Sequence, residues 1–85
     1  VPDDIEEQVE WTFRNIFAIL ESAGMGVEHM VRMTSYLTSA DYWPAYRKVK
    51  AKMMGPYRPT STLLVISGLA VPAWKVEIES WAAKP

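Results

Sequence analysis

The stretch RPTSTLLVISGLAVPAWKVEIESWA, residues 58–82, decides the predicted fold. Two segments rich in apolar residues, at about 60–67 and 74–82, lie on either side of the turn-forming sequence GLAVPA. Short runs of this kind, bounded by Gly and Pro, are typical of β-strands. We therefore predict two strands here, and we expect them to pair as an antiparallel hairpin.

The first of these strands contains LLVI, residues 63–66, which is apolar at four consecutive positions. A strand of this kind is expected to be buried on both faces. Two helices can cover only one face of a small sheet. We expect the other face to be covered by a further part of the protein or by another subunit, so oligomerisation is the leading structural expectation.

The second strand carries two carboxylates in the sequence KVEIE. Alternation along a strand places Glu77 and Glu79 on one face and Val76 and Ile78 on the other. Such carboxylates on a small sheet are usually solvated. If another subunit covers their face, a partly desolvated carboxylate could accept or donate a proton near neutral pH. The pattern leaves both interpretations open, and burial decides between them.

A helix is predicted over about residues 4–23. Asp3 or Asp4 can cap its first turn, and Gly24 follows its last residue at the position of a C-terminal cap. The helical spacing of its apolar stripe supports this prediction. The stripe consists of Ile5, Val9, Thr12, Phe13, Ile16, Leu20 and Ala23.

A strand and a second helix are predicted between this helix and the quoted stretch. The sequence VRMTSYLT, residues 31–38, alternates, which indicates a strand. Ser39 or Asp41 can cap the second helix, and Gly55 ends it. The predicted face of the strand contains Val31, Met33, Ser35 and Leu37, and the inward stripe of the helix contains Tyr42, Tyr46, Val49 and Met53. The order is then αβαββ in one α/β (α+β) sandwich, and the strands that flank the second helix can pair in parallel.

The composition excludes several functional classes. The 85 residues allow a single domain, and the net charge of −1 gives no field that favours nucleic acid or an anionic membrane. Cysteine is absent, so disulfides and thiolate chemistry are excluded, and a reducing cytoplasm fits. We expect neither a signal peptide nor a membrane span, since the start is acidic and no apolar run approaches about 18 residues.

Three further features have modest interpretations. His29 is the single histidine, so we interpret it as a surface residue and predict no metal site. The basic run RKVKAK, residues 47–52, could contact phosphates, but cations near a helix C-terminus also complement the helix dipole, and we prefer that interpretation. Trp11 and Trp43 lie off the inward stripes of their helices, which suggests that one of them lies at an interface.

Three segments together resemble the RidA (YjgF/YER057c/UK) family of reactive-intermediate deaminases: DIEEQVEWTFRNIFAILESAG, VRMTSYLTSADYW and RPTSTLLVISGLAVPAWKVEIE. The resemblance covers nearly the whole chain. It implies a chorismate-mutase-like fold, a cytoplasmic homotrimer, and hydrolysis of enamines or imines to a keto acid and ammonia without metal or cofactor. The substrate clefts of the family lie between subunits. Members usually carry further strands ahead of the first helix, and we expect this chain to lack them.

The resemblance also assigns candidate site residues. Glu77 matches the cleft glutamate that positions or activates water, and Glu79 matches the second Glu of the motif, which we expect at the surface. Ser61 stands where deaminating members have an Arg that binds the substrate carboxylate, and Tyr46 stands where they have an Asn. Neither residue can replace a guanidinium.

Two more residues belong to this expected substrate-binding set. Arg58 could reach the mouth of the cleft, although a strand rise of about 3.3 Å per residue leaves its backbone roughly 10 Å from Ser61. Leu63 follows on the same strand.

Two functions from different classes remain open at this point. The first is hydrolytic deamination of imines or enamines, weak or altered because the carboxylate-binding Arg is absent. The second is a non-catalytic ligand-binding or regulatory module of the same fold. A ribonuclease or translation-inhibitor activity, also attributed to the family, has no support from the charge balance or from the residue set.

Overall fold

The computed structural model describes residues 3–84. Its helices and strands are α1 (Ile5–Ser22), β1 (Met30–Leu37), α2 (Trp43–Met54), β2 (Thr60–Val65) and β3 (Val76–Ala82), with single 3₁₀ turns at Val27–His29 and Ala40–Tyr42. The two helices pack against a mixed three-stranded sheet, so the predicted α+β class and the order αβαββ are confirmed.

Helix α1 begins and ends where local chemistry predicts. The Asp4 side chain accepts a hydrogen bond of 3.0 Å from the backbone N–H of Glu7, which satisfies one of the free donors of the first turn. A cap of this kind contributes about 1 kcal/mol to helix stability. At the other end Gly24 has a φ of 74°, a left-handed conformation that glycine adopts without steric cost.

The predicted hairpin between the last two strands is wrong. Strand β1 lies in the centre of the sheet, with β2 parallel on one side and β3 antiparallel on the other. The connection from β2 to β3 passes across the end of β1: Ile66 donates its N–H to Leu37 at 2.8 Å, and Thr38 donates to Lys75 at 3.1 Å. This arrangement pairs the most buried strand on both sides. The predicted parallel pairing across α2 is confirmed.

A β-bulge changes which residues of β1 face the core. The register with β3 shifts between Met30 and Arg32, so Met30 is buried whereas Val31 is 52% exposed. An extra residue in one strand reverses the side on which the preceding side chain lies. The predicted inward position of Val31 is therefore wrong. The rest of that face is buried as predicted, at Met33, Ser35 and Leu37.

The core lies between the helices and one face of the sheet. The buried apolar residues are Val9, Phe13, Leu20, Met30, Met33, Leu37, Tyr46, Val49, Met54, Val76 and Ile78. On α2 the buried methionine is Met54, while Met53, predicted to be inward, is only partly covered.

Strand β2 is the least covered part of the sheet. Leu64 and Val65 are 45% and 55% exposed, although their segment is apolar at every position. Exposed apolar residues on an edge strand are a liability that proteins usually cover. Leu64 pairs with Tyr36 on the face away from the helices and Val65 pairs with Leu37 on the helix face, so the single chain leaves both faces of this edge strand partly uncovered. Within residues 3–84, no helix combines the length and hydropathy needed to cross a bilayer.

Candidate functional site

Glu77 lines a cavity between the first half of α1 and strand β3. The cavity has a volume of about 400 Å³, and its walls come from Gln8, Trp11, Thr12, Trp74, Val76, Glu77 and Ile78. Small-molecule sites commonly have volumes of about 300–1,000 Å³ and mostly apolar walls. Among the described residues that line it, Glu77 is the one ionisable group. Glu77 is exposed in the single chain, and its strand position places its side chain on the sheet face away from the helices, so Glu77 lies at the margin of the cavity that it lines with Trp11 and Trp74.

Gln8 fixes the wall of this cavity from α1. Its side-chain amide donates to the carbonyl of Ala73 at 3.0 Å, and its side-chain oxygen accepts from the N–H of Lys75 at 2.8 Å. The two bonds bracket Trp74 and tie its backbone to the helix. Because Gln8 is almost fully buried, water competes little for these bonds.

The two carboxylates of β3 have different surroundings. Strand pairing places Tyr36 opposite Glu77, and the Tyr36 hydroxyl donates to Glu79 at 3.2 Å. Burial raises the pKa of the Tyr36 phenol, and the hydrogen bond to Glu79 raises it further, so Tyr36 stays protonated and able to donate. In the described part of the chain, the Glu77 side chain has no such hydrogen-bond donor. Glu79 is thus engaged by a neighbour, while Glu77 can accept a hydrogen bond from a ligand or a water molecule.

A second group of predicted site residues lies between α2 and β2. The hydroxyls of Tyr46 and Ser35 are 2.5 Å apart and are both buried. The Lys50 ammonium donates to the Ser61 hydroxyl at 3.0 Å. Burial raises the pKa of the Tyr46 phenol, and hydrogen bonding to Ser35 and Ser61 partly offsets that rise. The structure therefore joins Tyr46 and Ser61 in one polar cluster and adds a cation to it.

The remaining predicted residues are close to this cluster in the chain. Leu63 pairs with Ser35 across the sheet and packs, partly buried, against the core. Arg58 is exposed, and its guanidinium donates to the carbonyls of Gly55 and Tyr57 at 2.5 and 3.0 Å. These bonds hold Arg58 beside the end of α2.

Glu77 is separated from the other predicted site residues within one chain. Ser61 pairs with Met33, whose side chain lies under the helices, whereas Glu77 pairs with Tyr36 on the opposite face. Paired residues on neighbouring strands share a face of the sheet, and successive residues alternate. Ser61 and Glu77 also lie on strands at opposite edges of the sheet. A site that uses both needs more than one copy of the chain.

Sequence reasoning missed three residues of these two groups. Gln8 precedes Val9 in the apolar stripe of α1, and nothing in that spacing distinguishes a buried Gln from a solvated one. Trp74 was predicted as the first residue of the last strand, but β3 begins at Val76, and alternation gives no sign that Trp74 lines a cavity. Lys50 belongs to the basic run that we interpreted as solvated, yet its spacing from Tyr46, four residues earlier, places both on one face of α2.

His29 has a structural explanation. Its Nδ1 accepts a hydrogen bond of 3.0 Å from the backbone N–H of Gly26, and the Glu28 carboxylate lies 3.4 Å away. The imidazole therefore closes the 3₁₀ turn before β1. Nowhere in residues 3–84 do three or more His, Asp or Glu side chains cluster as a metal site would require.

The fold matches solved structures over almost its whole length. A crystal structure of a Thermotoga maritima protein superposes with a TM-score of 0.93 at 32% identity and covers 100% of this chain and 66% of its own. A member of the YjgF/YER057c/UK114 family from Mycobacterium tuberculosis superposes with a TM-score of 0.90 at 31% identity, over 94% of this chain and 68% of its own.

Sequence comparison gives the same result. Protein mmf2, a mitochondrial protein of Schizosaccharomyces pombe, is 30% identical over 99% of this chain and 68% of its own length. A RutC family protein of Pyrococcus horikoshii is 31% identical over 99% of this chain and 66% of its own. This chain thus spans about two thirds of the length of these relatives. The family model of endoribonuclease L-PSP matches residues 1–84. The chain therefore belongs to the endoribonuclease L-PSP family, the YjgF/RutC/RidA family.

Proposed function

We propose that this protein hydrolyses imines or enamines to a carbonyl compound and ammonia in a cleft that contains Glu77 and is completed by another copy of the chain. The observation that carries the proposal is the cavity of about 400 Å³ at the edge of the sheet, where Glu77 is the one ionisable residue among the described lining residues, which include Trp11 and Trp74. Once the second copy covers Glu77, which is exposed in the single chain, apolar walls would exclude water from a bound organic molecule and strengthen the electrostatic effect of this carboxylate.

The chemistry requires one water molecule and one proton acceptor. In the proposed reaction the Glu77 carboxylate accepts a hydrogen bond from water and takes its proton as the water oxygen bonds to the imine carbon. The electrons of the C=N double bond move to nitrogen, which is protonated. The resulting carbinolamine expels ammonia, the C–N bond breaks, and a C=O double bond forms. Glu77 passes the proton of the water to the nitrogen in the first step and the hydroxyl proton of the carbinolamine to the departing amine in the second, so atoms and charge balance without a metal or redox cofactor.

The absence of an arginine at position 61 limits which imines are good substrates. The hydroxyl of Ser61 cannot bind a carboxylate as a guanidinium does, with two parallel charge-assisted hydrogen bonds. The nearby Lys50 ammonium, 3.0 Å from Ser61, offers a single point charge on a flexible stem. We therefore propose that small 2-imino acids are poor substrates, and that larger or uncharged imines are better ones.

A second copy of the chain is part of the proposal, with a homotrimer as the proposed assembly. Two observations support it. Ser61 and Glu77 lie on opposite faces of one sheet, so a single copy cannot present both to one small molecule. The exposed apolar residues Leu64 and Val65 also provide a surface that association would bury.

The test compares two carboxylate variants. Uncharged imines are generated enzymatically in the assay, and their decay is followed with the wild type, Glu77→Gln and Glu79→Gln. We expect the wild type to accelerate decay over buffer, Glu77→Gln to lose that acceleration, and Glu79→Gln to keep it. Equal losses in both variants would contradict the role given to Glu77. Saturable binding of the same imines without turnover would instead favour a non-catalytic module.

A further inference from the structure

A second cavity lies between the C-terminal half of α2 and the segment 55–59 that leads into β2. Its volume is about 330 Å³, and three cations line it, from Arg47, Lys50 and Arg58, together with the ring of Tyr57. It shares no lining residue with the cavity of Glu77. Lys50 and the two arginines are called the cation triad below.

The cations of α2 fall into two groups with different partners. Lys48 lies 3.2 Å from the Glu6 carboxylate, and Lys52 lies 3.1 Å from that of Glu10, so both are neutralised by α1. Within residues 3–84, the cation triad forms no ion pair with Asp or Glu. One helix thus presents paired cations on the side of α1 and unpaired cations in a cavity.

Neutral groups hold the cation triad in place. The guanidinium of Arg58 donates to two backbone carbonyls of the turn after α2, and that of Arg47 lies 5.4 Å from the ring centre of Trp43. Lys50 donates to the Ser61 hydroxyl. These contacts orient the three groups but leave their charges uncompensated.

Electrostatics in this cavity favour an anion. Burial lowers the pKa of the Lys50 ammonium, and the positive charge of Arg58 lowers it further. Both effects make the positive charge on Lys50 less favourable here than in water. A bound anion would offset both. The negative end of the α2 dipole lies here and opposes an anion, so the side chains must supply the attraction.

We propose that the cation triad forms a binding site for the oxyanion group of a small molecule, a carboxylate or a phosphate. The volume fits such a group together with a compact organic body, which the Tyr57 ring can contact. The site lies beside Ser61, and it provides the chain with a fixed positive region at the start of β2. It includes Arg58, a predicted substrate-binding residue, and Lys50, but none of the residues that line the Glu77 cavity, so anion binding can be tested separately from turnover at Glu77.

The experiment measures binding by ¹H–¹⁵N correlation spectra of the full chain during titration with inorganic phosphate and, separately, with malonate. We expect saturable shifts confined to the end of α2 and residues 55–61 with at least one of the two anions. The anion that binds more tightly identifies the class of ligand. Lys50→Met should weaken binding by about tenfold, equivalent to about 1.4 kcal/mol, and Lys50→Arg should retain it.

Lys48→Met is the matched control, because it removes a cation from the same helix that lies outside the cavity and is paired with Glu6. Its dissociation constant should stay within about twofold of the wild type. Equal weakening by Lys48→Met and Lys50→Met would mean that the overall charge of the helix attracts the anion, and not the cavity, and would overturn the proposal. The absence of saturable shifts with both anions at millimolar concentration would overturn it as well.

Discussion

Replacing Tyr46 with Phe removes one hydroxyl from a buried pair and deprives Ser35 of its hydrogen-bond partner. The two oxygens are 2.5 Å apart, and the residues are 3% and 0% exposed, so water cannot easily take the lost position. A buried polar group left without a partner costs about 1–3 kcal/mol. We therefore expect Tyr46→Phe to lower the free energy of unfolding by that amount. For a domain of this size the Tm falls by about 4–8 °C per kcal/mol.

The assay is urea and thermal unfolding followed by circular dichroism, at one fixed protein concentration because association would also affect stability. Tyr57→Phe is the control, since its exposed hydroxyl should be worth no more than about 0.5 kcal/mol. Adding Ser35→Ala to Tyr46→Phe should cost less than the sum of the two single variants, because no orphaned hydroxyl remains. A Tyr46→Phe protein as stable as the wild type would refute the reasoning.

Three further predictions follow from the same structure. Light scattering coupled to size exclusion should give a homotrimer, and a stable monomer near 10 kDa at micromolar concentration would contradict it. Replacing both Trp11 and Trp43 with Ala should weaken assembly or lower the Tm, since both side chains are half exposed, and unchanged behaviour would remove them from any interface. Decay of the pyruvate imine should be slow with the wild type and faster with the double variant Ser61→Arg, Lys50→Gln. The double variant replaces a point charge by a bidentate guanidinium without leaving two cations adjacent. No gain in rate would contradict the assignment of Ser61.

Local physics was sufficient to predict α1, whereas α2 begins at Trp43 without the side-chain cap predicted at Ser39 or Asp41, because Ser39 caps the preceding 3₁₀ turn. The cap at Asp4, the left-handed glycine at Gly24 and the periodic apolar stripe each act within a few residues, so the predicted limits of α1 agree with the structure to within one residue at each end. The bulge at Met30 escaped prediction because alternation assumes an uninterrupted pleat. Which residue is skipped depends on pairing with β3, far away in the chain.

The order of the strands required information that alternation does not contain. Both β2 and β3 can pair with any exposed edge, and the sequence GLAVPA reads equally well as a hairpin turn or as part of a longer connection. In the structure this segment is part of a longer connection, and the hydrogen bonds of Ile66 and Lys75 to the end of β1 hold β2 and β3 on opposite sides of that strand. They depend on the tertiary arrangement and not on the turn itself.

The candidate site was predictable in part. Glu77 was found from its position in a motif, and the structure adds the cavity that it lines together with Trp11 and Trp74. Gln8 and Lys50 were missed because a polar residue on a helix gives no sign in sequence of whether it is buried or which strand it reaches. Their contacts to Lys75 and Ser61 join segments distant in the chain.

A crystal structure of the assembled protein grown with an uncharged ketone, the product class expected from an uncharged imine, tests the central claim most directly. The account predicts that a neighbouring copy encloses the Glu77 cavity, and that the ketone lies within it with its carbonyl group in reach of a water molecule held by the Glu77 carboxylate. A structure in which Glu77 is open to solvent in every copy, with the ketone bound elsewhere or not at all, would contradict the account.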